Sequence, residues 1–424
     1  MGVGTSLLSR TKRTVARFSV TVVSGPDAGL QRESHSGVLT IGTAQGNTVI
    51  LSDPTVSRHH CRIRGTDKGL SIEDLGSTNG TFAGSIELAR GVLSGPGRLR
   101  VGNSELDVQL QGTESEAIGQ TSSFGPFVGQ SVAMRSLFAV LPKIAATDAA
   151  VLIEGETGTG KTLLAEAIHD ASPRSSAGFV VVDCASMPAT LMEGELFGSV
   201  RGAYTGARDR IGLFESGSGG TVFLDEIGEL APELQSKLLR VLEKRVVRRL
   251  GENVDRPADV RLIAATNRAL QTMVNNGDFR ADLFYRLNTV SIEIAPLRER
   301  PDDIPLLIRH FYRSLADDSA PVTEDELIEE LKRSSWPGNA RQLRSAVEQA
   351  LIFGTRKIAR ATPRQNLSFR EAKANAVAEF ERGYLTDLLE RHGGNLTQAA
   401  RDAMMDRTYL RSRLRKYGLY RRDG

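Results

Sequence analysis

Residues 151–168, VLIEGETGTGKTLLAEAI, run from β-forming side chains through a glycine-rich turn into apolar residues at helical spacing. Val151, Leu152 and Ile153 predict a buried strand, and Leu163, Leu164, Ala167 and Ile168 predict a helix that packs back on it. A chain committed to strand, tight turn and helix in that order builds an open α/β sheet, with the turn at the strand's carboxyl end. There the glycines let backbone N–H groups converge on phosphate oxygens, and the helix N-terminus adds its positive end. The candidate nucleotide-binding residues are therefore Gly155, Glu156, Thr157, Gly158, Thr159, Gly160, Lys161 and Thr162. Lys161 would reach the β- and γ-phosphates of ATP, and the Thr162 hydroxyl would hold Mg²⁺.

Further on, Thr221-Val-Phe-Leu carries two carboxylates, Asp225 and Glu226, to the end of another strand. Asp225 suits Mg²⁺, and Glu226 suits the general base that polarises an attacking water. The run Val260-Arg-Leu-Ile-Ala-Ala-Thr-Asn267 predicts a third buried strand, with Asn267 placed to sense the γ-phosphate. In FRADLFYRLN, Arg280 and Arg286 stand six residues apart. Such arginines either pair on the surface with Asp278 or Asp282, or are lent to a neighbouring subunit's site. The second use is worth about 10³–10⁵ in rate, roughly 4–7 kcal/mol of barrier.

GETGTGKT, GELFGSVRGAYTGA, TVFLDEIGEL, FRADLFYRLN, PLRERPDDIP and WPGNARQLR occur in this order over about 127–353. Together they resemble the AAA+ domain of sigma-54-dependent transcriptional activators, the bacterial enhancer-binding proteins. The resemblance implies that Arg280 and Arg286 act in trans and that Arg341 is a second sensor of nucleotide. It also implies that the loop Gly202, Ala203, Tyr204, Thr205, Gly206, Ala207 engages sigma-54. Tyr204 stands where phenylalanine is usual, and Gln342 where glutamate is usual. Asp183 replaces an asparagine that restrains the catalytic glutamate in that family. An ionised carboxylate cannot donate that hydrogen bond, so the restraint is expected to be rewired.

Length and composition set the remaining bounds. At 424 residues the chain is long enough for about three domains, and 40% hydrophobic with 25% charged residues is ordinary for globular protein. Two cysteines without metal spacing predict neither a disulfide framework nor a zinc site. No apolar run approaches the roughly 20 residues that span a bilayer, which predicts a cytoplasmic protein without membrane partners. The pattern divides into a disordered basic tail (1–16), an all-β domain (17–111), a linker (112–126), an α/β ATPase (127–295), a helical lid (296–358), a second linker (359–370) and a helical end (371–424). Within the β region, Phe18–Val23, Val38–Ile41 and Leu70–Asp74 read as strands.

SRHH (57–60) and GSTNGT (76–81) lie between those strands, and with IGTAQGNTVILSDPTV they resemble a forkhead-associated (FHA) domain. That family is a β-sandwich that binds phosphothreonine peptides. Ser57 and Thr78 would donate to phosphate, Asn79 would bond the ligand's main chain, and Arg58 stands beside them. His60 reads better as a buried brace between loops. Thr43 follows Gly42 where the family usually has an arginine, so Arg58, Arg62 or Arg64 would have to supply the cation. The partner implied is a phosphothreonine protein or a Ser/Thr kinase.

The end of the chain is basic, with eight Arg or Lys against three Asp from Arg401 onward. Asn395 caps a short helix, Met404-Met405 makes a turn, and Asp406 caps a last helix. The stretch GGNLTQAARDAMMDRTYLRSRLRKYGL resembles the Fis-type helix-turn-helix. Leu410, Leu414 and Tyr417 fall on one side of the last helix, and Thr408, Arg411, Ser412 and Arg415 on the other. Arg407 and Arg411 are candidates for base edges, and Arg415 for phosphate.

The expectation is a multidomain chain: an all-β FHA sandwich, an AAA+ α/β parallel-sheet ATPase with helical lid, and an all-α Fis-type helix-turn-helix. It would bind upstream enhancer DNA, assemble from dimer to hexameric ring, and use ATP with Mg²⁺ to remodel sigma-54 RNA polymerase holoenzyme. A repressor or scaffold using ATP only to oligomerise would not need Glu226 or the arginines. An unfoldase would lack GAYTGA.

Overall fold

The computed structural model describes residues 12–34, 37–66, 69–117, 119, 121–203, 208–316, 320–332 and 334–354, with short stretches between 385 and 414. Residues up to 360 form one compact unit and the remainder a second.

The first unit begins with a β-sandwich. Its strands are β1 (Lys12–Ser24), β2 (Gln31–Glu33), β3 (Val38–Gly42), β4 (Val49–Ile50), β5 (Cys61–Thr66), β6 (Gly69–Asp74), β7 (Thr81–Ala83), β8 (Ile86–Glu87), β9 (Arg90–Leu93), β10 (Gly97–Val101) and β11 (Ser104–Ala117). One sheet runs β2-β1-β11-β10-β7-β8, the other β4-β3-β5-β6-β9. Alternation explains why two sheets form. Cys61, Ile63 and Gly65 of β5 point inward while Arg62, Arg64 and Thr66 point out, and Phe18, Val20 and Val22 do the same on β1. Their inward rows share one core with Ile41, Ile72, Leu99 and Leu106.

Two boundary expectations need correction. The expected disordered tail includes residues 12–16, but these belong to β1, where Lys12 pairs with Ala117 and Ala16 with Thr113. The same pairing takes residues 112–117 out of the expected linker. Each polar segment satisfies the other's backbone groups, so a composition typical of loops still makes a ribbon. The rest of that tail lies outside the described residues.

A short hairpin, β12 (Ser123–Phe124) with β13 (Phe127–Val128), leads to α1 (Val132–Ala145) and the α/β sheet. Its five strands are parallel in the order β15 (Phe179–Asp183), β18 (Thr221–Asp225), β21 (Arg261–Thr266), β14 (Val151–Glu154) and β22 (Val290–Glu293). All six side chains of β21 are buried, as a central strand covered on both faces requires. The helices α2 (Lys161–Asp170), α3 (Ala189–Phe197), α4 (Leu213–Ser216), α5 (Pro232–Lys244), α6 (Leu270–Asn276) and α7 (Ala281–Leu287) follow the strands. Two small pairs lie outside the sheet: β16 (Gly198–Ser199) with β17 (Arg210–Ile211), and β19 (Val246–Val247) with β20 (Arg256–Pro257).

Three helices, α8 (Asp303–Leu315), α9 (Glu324–Leu331) and α10 (Asn339–Phe353), then pack around Leu307, Ile308, Leu327, Trp336, Leu343 and Val347. In the second unit the helix Leu396–Asp402 shares a core of Leu385, Leu388, Ala399, Leu410 and Leu414. Among the described residues no helix is long and apolar enough to cross a membrane.

Candidate active site

Strand β14 ends at Glu154, the chain turns through 155–160, and α2 starts at Lys161. Gly158 and Gly160 take left-handed backbone angles, φ +80° and +104°. Space is as restrictive as the angles. A Cβ on Gly160 would come within 2.6 Å of the Phe127 ring, and one on Gly158 within 2.3 Å of the Gly338 carbonyl oxygen. The turn is therefore clamped between the β12–β13 hairpin and the first turn of α10.

Lys161 is 6% exposed, and its Nζ donates to the Gly155 carbonyl at 3.0 Å while meeting Glu226 Oε1 at 3.4 Å. The Thr162 hydroxyl donates to Asp225 Oδ2 at 3.2 Å. Burial pushes the Asp225 carboxyl up, aided by the Glu226 charge and opposed by the Glu226 N–H, Lys161 and Thr162. A divalent cation would relieve that crowding of acids, and a hydroxyl with a carboxylate is the oxygen donor set Mg²⁺ takes. The buried ammonium, the glycine turn and this oxygen pair fit a Mg²⁺-bound nucleotide.

Glu226 is held in the left-handed region, φ +50° and ψ +50°. Its N–H donates to Asp225 Oδ1 at 3.0 Å, and its Oε2 accepts from the Asn267 N–H at 3.0 Å. The Asn267 side chain donates to Thr157 Oγ1 at 3.0 Å, which ties the end of β21 to the phosphate turn. Asp183, level with Asp225 across β15 and β18, uses its carboxylate to accept the Ala185 N–H at 2.9 Å and so closes its own turn. Glu226 is thus held by Asn267 and Lys161, and among the described residues no hydrogen bond joins it to Asp183.

Arg341 donates its backbone N–H to the Gly158 carbonyl at 3.2 Å. The residue beside Gly338 does more. Asn339 is fully buried at φ +54°, accepts the Leu297 N–H at 2.7 Å, and donates to Glu156 and to the Thr157 carbonyl at 3.1 Å each. Sequence reasoning passed over Asn339, although it sits in the same GNARQLR run that singled out Arg341. Arg298 closes the other side of Glu156 at 2.7 Å.

Arg280 caps the start of α7 and pairs with Asp282 at 2.7 Å. Arg286 lies on the same helix beside a cavity of about 170 Å³ that Asp148, Arg245 and Thr289 also line. Among the described residues, no hydrogen bond or ion pair links either arginine to residues 155–162. The stem of the GAYTGA loop is the β16–β17 pair, reinforced by Ser199 Oγ donating to the Arg208 carbonyl at 2.8 Å. Gly202 and Ala203 extend from it, while Tyr204, Thr205, Gly206 and Ala207 lie outside the described residues.

In the sandwich, the Thr78 N–H donates to Ser57 Oγ at 2.9 Å, and Asn79 donates to the Thr55 carbonyl at 2.7 Å. His60 is fully buried; its Nε2 donates to the Gly80 carbonyl at 3.0 Å, leaving Nδ1 to accept the Ser57 N–H at 3.1 Å. It is the loop brace expected of it. Arg62 and Arg64 are turned to Glu293 at 3.8 and 2.5 Å, which corrects the expectation that either supplies the cation for a phosphate. Arg58, exposed beside Ser57, is the cation left at that cradle. In the second unit Arg411 is half-buried, and Arg407, Thr408, Ser412 and Arg415 lie outside the described residues.

Four family models match the chain in order: an FHA domain at 39–103, a sigma-54 interaction domain at 127–293, an AAA+ ATPase lid domain at 298–376, and a bacterial regulatory protein of the Fis family at 376–417. The transcriptional regulatory protein GlrR of Escherichia coli K12 is 44% identical over 66% of this chain, which spans 65% of that protein's length. ZraR of Klebsiella oxytoca, also a transcriptional regulatory protein, is 41% identical over 72% of this chain and 74% of its own. The crystal structure of NtrX from Brucella abortus in complex with ADP aligns at a TM-score of 0.50 with 32% identity, covering 72% of this chain and 69% of that one.

Proposed function

Since the chain belongs to the family of sigma-54-dependent transcriptional activators, we propose that it hydrolyses ATP in a ring of its own copies to open promoters bound by sigma-54 RNA polymerase. The observation that carries the reading is a division of labour. Lys161, Thr162, Asp225, Glu226 and Asn267 converge on one phosphate turn, while Arg280 and Arg286 stand on a helix apart from it. A site complete except for its arginines is what assembly-dependent hydrolysis needs.

Thr162 and Asp225 hold Mg²⁺, Lys161 holds the β- and γ-phosphates, and Glu226 takes a proton from the attacking water. Asn267 bridges Glu226 and Thr157, so γ-phosphate and base are positioned by one residue. Arg341 meets the nucleotide from the lid, and Arg280 and Arg286 complete a neighbour's site. Hydrolysis moves the loop 202–207 against sigma-54. Arg407, Thr408, Arg411, Ser412 and Arg415 face upstream DNA, and Ser57, Arg58, Thr78 and Asn79 receive a phosphothreonine peptide.

The test is promoter melting with purified sigma-54 holoenzyme and hydrolysable ATP. Wild-type protein should open the DNA. Thr205→Ala should keep ATP turnover and DNA binding near normal yet fail to open it, because the motor then runs uncoupled. A variant that melts the promoter as well as wild type does would remove the loop from the mechanism.

A further inference from the structure

A glycine-rich turn grips phosphate with backbone N–H groups, and in a trans peptide each N–H points away from the carbonyl of the residue before it. Whatever holds the carbonyls outward aims the donors inward. Three successive carbonyls of this turn are held by the lid. Asn339 Nδ2 donates to Thr157 at 3.1 Å, the Arg341 N–H to Gly158 at 3.2 Å, and Arg300 Nη2 to Thr159 at 3.3 Å. Across the first and third of these peptides lie the N–H groups of Gly158 and Gly160, and among the described residues neither makes a hydrogen bond. Both are left for an anion.

Of the three donors, Arg300 alone brings a charge. It stands just before α8, is 2% exposed, and faces the fully buried Asp303 at 3.6 Å. Burial works against the guanidinium's charge, and the Asp303 carboxylate opposes that loss. Asp303 is itself held from the other side by the N–H groups of Gln130 and Ser131, so the arginine is braced where it stands. A neutral amide would satisfy a carbonyl, as Asn339 does at Thr157. A cation does more. It draws electron density through the peptide and makes the N–H on the far side a stronger donor.

We propose that Arg300 is a positioning residue for ATP: from the lid it holds the Thr159 carbonyl outward and aims a polarised Gly160 N–H at the phosphates. It acts through the peptide and not on the nucleotide. The proposal rests on the reading above that residues 155–162 hold the phosphates of ATP. The Gly160 donor serves bound phosphate before and during the reaction alike, whereas Glu226 and Asp225 make no contact with Arg300 among the described residues. Losing Arg300 should thus weaken binding and spare the chemical step.

The test is steady-state ATPase kinetics on the full chain, at a protein concentration where the rate per subunit is constant. Arg300→Lys keeps a cation beside Asp303 but replaces the fork with one point donor. Arg300→Met removes cation and donor together. Each should raise KM for ATP about tenfold, and weaken ADP as much by titration calorimetry, with kcat within about twofold of wild type. Ser131→Ala is the control, since it removes the hydroxyl that donates to Asp303 at 2.9 Å and loosens the same hub without altering Arg300. It should lower the thermal midpoint and leave KM unmoved. An unmoved KM in whichever Arg300 variant folds would overturn the proposal, whether or not kcat falls. So would a KM raised as far in Ser131→Ala, because the rigidity of the hub and not the reach of the arginine would then set the turn. Failure of the underlying reading looks different: Lys161→Ala would bind ATP as wild type does.

Discussion

Glu226 and Asn339 are both left-handed non-glycine residues, and each spends that strain on the nucleotide turn. Glu226→Gln should bind ATP as wild type does and turn over none, since the shape and the Asn267 hydrogen bond survive while the Lys161 contact and proton acceptance are lost; equilibrium nucleotide binding beside a phosphate-release assay reads both. Asn339→Ala should weaken ATP about tenfold and lower the thermal midpoint, because it leaves the buried Leu297 N–H unpaired, a loss of about 1–3 kcal/mol. Titration calorimetry with wild-type affinity would contradict it. His59 makes a pH prediction. Burial, then the charges of Arg58 and Arg62, holds its pKa below 6.5 while docked against Tyr285. Freeing the ring lifts its burial, the largest cause, so the contact with Tyr285 is fully present above pH 6.5 and weakens as pH falls below it. Hydrogen–deuterium exchange at 270–287, where Asn275 and Tyr285 hold His59, should therefore rise as pH falls below about 6.5, and His59→Asn should flatten the response.

Among the elements, one tie runs through Asp303, fully buried on the first turn of α8. It accepts the N–H groups of Gln130 and Ser131 at 2.6 Å each and the Ser131 hydroxyl at 2.9 Å, and faces Arg300 at 3.6 Å. One carboxylate thus fixes the start of α1 to the lid. Asp303→Ala should cost about 3 kcal/mol, since Arg300 is left as a buried unpaired charge; an unshifted urea midpoint would refute it. The strand–turn–helix around Gly155–Thr162 was legible in the sequence because its whole logic is local. So was the sandwich, whose alternation is written every second residue of β1 and β5. The contribution of Asp303 was not, because nothing local distinguishes an aspartate that caps its own helix from one that receives a segment 172 residues away. The pairing of residues 12–16 with 113–117 escaped notice for the same reason.

At the scale of the molecule, the site is legible to one subunit's boundary and no further. Arg280→Ala and Glu226→Gln should each be inactive alone, whereas mixing them should recover part of the activity if the arginine serves its neighbour; silence in every mixture would contradict a shared site. The seam between sandwich and ATPase was the least legible part. His59, Asn275, Thr272 and Tyr285 are ordinary surface types taken singly, and only folding brings positions 216 residues apart together.

The strained backbone at Glu226 also constrains how such a chain can change over time. A non-glycine residue held there costs about 1–2 kcal/mol, and glycine would relax it. Selection for heat resistance alone would favour Glu226→Gly and silence the motor in one step. Lineages that keep the motor must gain robustness elsewhere, in surface charge and loops, so this position should stay fixed while its surroundings drift.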